Sequence, residues 1–543
     1  MKPPVKILLW VLGSLTVLVV ALFLCADIIA SRLVQKEVAK AFDKMPNADA
    51  TIGNVYLNLI SGSAIVKDIS FSTNSLQLED SLSGERAPGL AVYIPTIAIW
   101  NIRYPELLRD HRVNVLNITV NEPQILVYLD EKEPESIMPF FPKDTMLDKA
   151  TQWLQAIELK SLDINRLSGR LISTRSPLHI EVDSLSLETP EMSYSMFDSL
   201  FSYNDSVWTL DLSAFRVETP DGLFAIETHD LHIEDQGPLE MGYTRIRNII
   251  SAKHMADMKK EPIAWIDLEL NQLSTSAFNP IRKILAKDYH LESITADVKR
   301  MHVIADQRHQ PKQPFCTPHD FLRHVPVAFG VKHVSALARK VDVELATTDV
   351  NRGEMHLKNI RTNMTNVTNR TGAVWKSRAT RPFGDNGKID ATFTMRLDKE
   401  ASFEVALDVR DVDTEQLNPF VRPLIGISSQ CHINHLDAQY KGDRNKAAGQ
   451  FCMQYHGLDV RVHKEDKIPY DVVKKNADLF TNLANTLVPK SNPTAVDPAP
   501  RRYMVEWKRD EWKPYPLYVF GPCIDGVKKT MLPGLYVHKQ AKK

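Results

Sequence analysis

The segment Asp385–Asp411, DNGKIDATFTMRLDKEASFEVALDVRD, decides the fold class. Asn386-Gly387 is a turn dipeptide. Beyond it Ile389, Ala391, Phe393, Met395 and Leu397 alternate with Asp390, Thr392, Thr394, Arg396 and Asp398. Lys399-Glu400 interrupts the run. Phe403, Val405, Leu407 and Val409 then alternate with Glu404, Ala406, Asp408 and Arg410. Successive side chains of a strand point to opposite faces, so the pattern spells a hairpin whose strands each have one apolar and one polar face. A lone hairpin cannot bury its apolar face, so it needs further strands or a second layer.

The same grammar extends outward. Thr51–Asn58, Gly62–Phe71, Val113–Val120, Gln124–Asp130, Ala264–Leu270, Ile294–Ile304, Lys340–Leu345 and Met355–Ile360 are short alternating runs bounded by Ser, Gly, Asn, Asp or Pro. Regularly spaced runs of this kind mark an all-β array. No strict residue period links them. Helical spacing is confined to Ser31–Met45, Asp144–Leu159, Ser276–Lys287, Asp413–Ile425 and Tyr470–Val488. Pro489–Pro500, rich in Pro, Asn and Ala, reads as a linker. The tail Arg501–Lys543 carries Tyr503, Trp507, Trp512, Tyr515, Tyr518 and Phe520 and reads as β-like.

Before the β grammar begins, Ile7–Ala26 (ILLWVLGSLTVLVVALFLCA) has no charged residue. At about 1.5 Å per residue it would span roughly 30 Å, the hydrocarbon thickness of a bilayer. Ile7, Leu8, Trp10, Leu18 and Phe23 would face lipid. A cleaved signal peptide has a shorter apolar core and ends at small residues. Leu24-Cys25-Ala26-Asp27 offers no such site, so an uncleaved anchor is expected. Lys2 and Lys6 before the run and Arg32, Lys36, Lys40 and Lys44 after it leave the orientation undecided by charge. The expected organisation is an anchor and juxtamembrane helix (1–45), a mostly β body (46–465), a helix and linker (466–500) and an aromatic tail (501–543).

Composition narrows the function classes. The 543 residues carry 66 basic and 67 acidic side chains, a balance that argues against a dedicated nucleic-acid surface. Five cysteines are too few for a disulfide scaffold. No P-loop, nucleophile elbow or His-Glu-x-x-His motif is present, and neither enzymatic activity nor a cofactor is expected. Cys431, His432 and His435 lie on one expected strand, where Cys431 and His435 would stand roughly 13 Å apart, too far for one metal. Cys316, His319 and His324 lie in a Pro-rich turn with no evident fourth ligand. Asn363, Asn366 and Asn369 each open an Asn-x-Thr triplet, a glycan acceptor in a eukaryotic secreted protein and a plain polar strand residue in a bacterium; the second reading is favoured.

One anchor followed by weakly similar β runs has a counterpart. The runs Ile52-Gly53-Asn54-Val55 and Gly62–Phe71, the stretch Val350–Thr371, and Ala401–Gly449 with Asp411-Val412-Asp413, Leu417-Asn418-Pro419 and Leu436-Asp437-Ala438 carry the resemblance. The chain resembles the AsmA-like proteins of Gram-negative envelopes, in the style of Bacteroidetes members. The likeness covers most of Met1–Glu465; the tail after Tyr470 has no part in it. It implies a curled antiparallel sheet, an elongated repeating β-groove, projecting from the inner membrane into the periplasm. It also implies a role in moving phospholipid toward the outer membrane or in outer-membrane biogenesis. The partners would then be the phospholipid bilayer and lipid cargo, with envelope proteins as further candidates. In that reading Phe393, Met395, Leu397, Phe403, Val405 and Leu407 line the groove. The same alternation would equally suit a closed core between two layers. A non-conducting scaffold or outer-membrane protein assembly factor is the alternative function.

Overall fold

The computed structural model describes residues 27–531 apart from 34, 37–47, 74–87, 111, 131–155, 190, 196–199, 204–207, 236, 278–288, 326, 349–350, 384–386, 464–480, 482–484, 487 and 496–497. The chain is mostly β with a few short helices, as the alternating runs predict, and divides into two units, residues 1–237 and 238–543.

The first unit contains β1 (Ala48–Ile52), β2 (Val55–Asn58), β3 (Ser63–Thr73), β4 (Gly89–Trp100), α1 (Tyr104–Asp110), β5 (Arg112–Asn121), β6 (Gln124–Leu129), β7 (Ala156–Ser173), β8 (His179–Thr189), β9 (Met192–Ser195), β10 (Leu200–Tyr203), β11 (Thr209–Glu218) and β12 (Phe224–Glu234). β1 and β2 both pair with β3, and β3 pairs with β4. β5 and β6 lie end to end between β4 and β7, antiparallel to the former and parallel to the latter. β8, β11 and β12 follow as antiparallel neighbours.

The second unit contains β13 (Pro238–Met241), β14 (Thr244–Asn248), α2 (Ala252–Lys259), β15 (Ile263–Ala277), β16 (Tyr289–Asp306), α3 (Pro318–Arg323), β17 (Phe329–Ala346), β18 (Arg352–Thr368), β19 (Val374–Phe383), β20 (Gly387–Arg396), β21 (Phe403–Asp413), α4 (Asn418–Ile425), β22 (Ile427–Gly442), β23 (Lys446–Val462), β24 (Arg502–Lys508) and α5 (Tyr515–Met531). From β15 to β24 each strand pairs with the next, antiparallel except for β16 and β17. The β20–β21 hairpin forms in the expected register, with Ile389 opposite Val409 and Phe393 opposite Val405.

Three expectations about elements change. The expected helix Asp144–Leu159 ends in strand, since β7 starts at Ala156; residues 144–155 lie outside the described set. Ser276 belongs to β15, and 278–287 lie outside. The aromatic tail is a strand only over Arg502–Lys508, and Tyr515, Tyr518 and Phe520 sit on α5. Its buried residues Tyr515, Tyr518, Pro522, Gly526 and Thr530 recur at helical spacing, which aromatic β propensity obscured. Within the expected linker, Asn492 is fully buried: its backbone exchanges two 2.9 Å hydrogen bonds with Tyr455 on β23.

Free sheet edges invite foreign strands. On β24 the Glu506 N–H donates to Asp525 Oδ2 at 3.1 Å, and Lys529 Nζ donates to the Met504 carbonyl at 2.8 Å, so α5 occupies that edge. On β2 the Leu57 N–H donates to Ser31 Oγ and the Leu59 N–H that follows donates to Asp27 Oδ1, both at 2.9 Å. A short helical stretch beginning at Asp27 therefore covers the β2 edge of the first unit.

Candidate functional site

A line of left-handed residues crosses the sheet of the first unit. Asp68, Glu122, Arg166, Ser184 and Asp230 all have φ between 51° and 55°. The registers bring them level. Asp68 faces Pro95, Glu122 faces Arg166, and Ser184 and Asp230 flank Ser213. Asp, Asn and short polar residues tolerate this conformation best, and such a residue bends its strand and resets the two-residue alternation. Across the bend, apolar residues are therefore three apart instead of two. Val66, Ile69 and Phe71 on β3 show this spacing, as do Leu210, Leu212, Phe215 and Val217 on β11.

Because the bends are aligned, the apolar residues form unbroken rows. Val66, Ile97, Val120, Ile164, Leu187, Leu210 and Ile233 are successive register partners across seven strands. Beyond the bend run Phe71, Val92, Ile125, Gly169, Val182, Phe215 and Thr228. Next come Leu90, Val127, Leu171, Ile180, Val217 and Ile226. In these three rows only Thr228 and Ile233 are buried; Ile226 is exposed and the rest are half-buried. A dry core between two layers would bury nearly all of them.

The opposite face is mixed: Ala91, Leu126 and Tyr128 form a small buried cluster there with Ile172, and the remainder is largely polar. Asn165 Nδ2 donates to Asn121 Oδ1 at 2.9 Å, and Arg216 binds Glu218 and Glu227 at 2.6 and 3.2 Å. The Glu218 hydrogen bond raises the Arg216 guanidinium above its ordinary value. Arg170, Glu181, Arg216 and Glu227 edge a hollow of about 530 Å³ on this face.

The second unit repeats the arrangement over β15–β18. Ile266, Val303, Val343 and Met355 form one row, and Leu268, Met301, Val341 and Leu357 the next. Between them, on the other face, run Asp267, His302, Asp342 and His356. Asp267 accepts both Nε and Nη2 of Arg245, at 2.9 and 2.8 Å, which lowers its carboxyl pKa. Burial alone would raise the Asp342 carboxyl. Hydrogen bonds from His356, Lys340 and Arg300 outweigh it and hold the group below the usual carboxylate range.

The six residues expected to line an open groove lie elsewhere. Met395, Leu397, Phe403 and Val405 are 1%, 0%, 2% and 8% exposed, and Phe393 and Leu407 pack against the cluster that holds Phe403 and Val405. Phe403 stacks on Phe393 with centroids 6.0 Å apart and meets Tyr518 edge-on at 5.5 Å. Phe451, Tyr440, Tyr455 and Val505 complete a closed core under α5. A Cβ on Gly526 would stand 2.2 Å from the Phe451 ring, so that glycine sets how closely the helix approaches. Burial pushes the Tyr455 phenol up to about 12. The hairpin with the clearest alternation is thus part of a covered core and not an open path.

The segment between β16 and β17 fastens this core from the side. Arg444 binds Asp320 through two hydrogen bonds of 2.7 and 2.8 Å, which hold the Asp320 carboxyl well below the usual range. His319 is fully buried beside Tyr515, and its Nε2 lies 3.2 Å from the Ser402 carbonyl. Burial pushes the His319 imidazole pKa down.

The cysteine–histidine groups are engaged in other ways. His432 Nδ1 lies 2.8 Å from Asp413, His435 Nε2 lies 3.1 Å from Asp408, and Cys431 is buried. Cys316 and His324 are exposed while His319 is in the core. Among the described residues no group of three or more His, Cys, Asp or Glu side chains could hold a metal ion. Asn363 and Asn366 lie on β18, and Asn369 just beyond it accepts the Phe329 N–H at 3.1 Å. The anchor residues Ile7, Leu8, Trp10, Leu18 and Phe23 lie outside the described set. No helix among the described residues is long and apolar enough to cross a membrane.

Comparison of the chain with protein-family models, with curated proteins and with solved structures finds no match. The open rows were missed at the level of sequence because a strict period of two ends at every bend. The readable signal is two apolar–x–apolar steps separated by one extra polar residue, as in Ala64–Phe71.

Proposed function

We propose that the protein is an AsmA-like envelope protein, anchored in the inner membrane with its body in the periplasm, that shields phospholipid on its way toward the outer membrane. The half-exposed apolar rows across seven strands of the first unit carry this reading. Moving two acyl chains into water costs about 0.8 kcal/mol per methylene, roughly 20 kcal/mol or more in all. A carrier needs no catalytic group to lower that cost. It needs apolar surface continuous over several strands at about 4.8 Å spacing, beside water for the headgroup. Rows starting at Val66, Phe71 and Leu90 have that form.

The test is lipid analysis of the full chain extracted from membranes in mild detergent. Phospholipid is expected to co-purify by mass spectrometry. Val120→Asp with Leu187→Asp, in the middle of one row, is expected to strip it while circular dichroism keeps the β signal. Ser213→Asp, exposed at the bend, is expected to retain it. A wild-type chain free of phospholipid would overturn the proposal and favour a scaffold or assembly factor working through protein partners.

A further inference from the structure

Exposed large apolar side chains collect at one corner of the first unit. Ile28, Ile29, Ile60, Trp100 and Leu116 are 55%, 59%, 68%, 45% and 45% exposed. Isolated apolar residues on a surface are ordinary, but a cluster rimmed by polar groups marks a contact site.

Backbone hydrogen bonds show that these residues share one end of the strands. Ile60 sits in the turn between β2 and β3, and the Ile102 N–H just after β4 donates to the Gly62 carbonyl of that turn at 2.6 Å. Trp100 closes β4 opposite Asn117, and Leu116, one residue beyond that pair on β5, points to the other face, so the exposed side chains lie on both faces of this strand end. Asp27 Oδ1, accepting the Leu59 N–H, brings Ile28 and Ile29 to the same end. Arg32, Lys36 and Arg112 are exposed nearby in the chain.

What covers this corner is indicated by the chain itself. Asp27 directly follows the uncharged run Ile7–Ala26, so a bilayer holding that run would lie against the end of the sheet where Asp27 is fixed. Tryptophan favours the headgroup level, and basic side chains suit anionic lipid there. We infer that the corner of Ile28, Ile29, Ile60, Trp100 and Leu116 is a bilayer-contact surface that seats the first strands in the membrane interface. The inference rests on the anchored reading above. It adds that the sheet itself touches lipid, so the apolar rows begin at the bilayer surface and not at the end of a free tether.

Tryptophan quenching tests it with the full chain reconstituted into vesicles of phosphatidylethanolamine and phosphatidylglycerol brominated near the headgroup end of their acyl chains. Trp10 and Trp100 are the tryptophans placed near lipid, so Trp100→Phe is expected to cut the quenchable emission by about half. Trp512→Phe, 53% exposed in the second unit, is expected to leave it unchanged. If Trp10→Phe reduces quenching and Trp100→Phe does not, the contact surface is wrong while the anchor stands. If neither substitution changes it, both readings fall. Quenching lost equally with Trp512→Phe would mean unspecific adsorption and would overturn the proposal as well.

Discussion

The open rows of β3–β12 and the closed core of β20–β24 are built from the same alternating strands, yet they end in opposite states. In the first, Val120 and Leu187 are half-buried on a face of aliphatic residues. In the second, Phe403 and Phe451 are at most 2% exposed beneath α5. The difference lies in the cover. Tyr515 and Tyr518 reach down to Phe403, and Gly521 and Gly526 let the helix settle against Trp507 and Phe451. Local strand pattern is therefore a poor guide to whether a face is wet or dry.

This contrast can be broken by substitution. Phe451→Ala should have the largest effect, about 3–5 kcal/mol of lost stability in denaturant unfolding, because it leaves a cavity under α5. A loss near 1 kcal/mol would mean that the helix does not seal the core. Gly526→Ala comes next. Helix propensity favours alanine by roughly 1 kcal/mol, but the Cβ would strike the Phe451 ring, and a net cost of about 1–3 kcal/mol is expected. Adding Phe451→Leu to Gly526→Ala should recover part of that loss, and strictly additive effects would refute the contact.

The third prediction concerns pH. His319 is buried with its pKa lowered, so the unfolded state takes up its proton first. Stability from this group is full above its unfolded pKa of about 6.5 and falls as pH drops below it, by up to about 1.4 kcal/mol per unit. His319→Gln should flatten the unfolding midpoint between about pH 6.5 and 5. An unchanged slope would show that the imidazole is solvated. Asp320, with its pKa also lowered, would lose the Arg444 pairing only at still lower pH, below the ordinary carboxylate range.

The smallest effect is expected on the open side. Val120→Ala should cost about 1 kcal/mol or less, since the side chain is already half in water. A cost as large as that of a core truncation would mean that the face is covered in solution.

Much of this was legible in the residues. Asp385–Asp411 folds as the hairpin its alternation spells, and Asp413–Ile425 becomes a short 3-10 turn followed by α4. Less legible were α5, whose Pro522 and two glycines resemble no strong helix former, and the aligned bends, which interrupt the period that strand reading depends on. Phe393 and Met395 alternate on β20 as the sequence predicts, but Met395 and Leu397 are buried and Phe393 packs against a covered core. Their bulk is what a covering helix packs against most favourably.

For most strands the sequence alone determined which side is apolar, because alternation is a property of neighbours two or three residues apart; β6, apolar throughout Ile125–Leu129, is an exception. Only the tertiary structure decided which of those sides is covered. The cover comes from α5, a segment more than one hundred residues beyond Phe403, and from the register that makes bends on separate strands coincide. Neither can be read from a window of local residues, since both depend on which distant pieces of chain come to lie side by side.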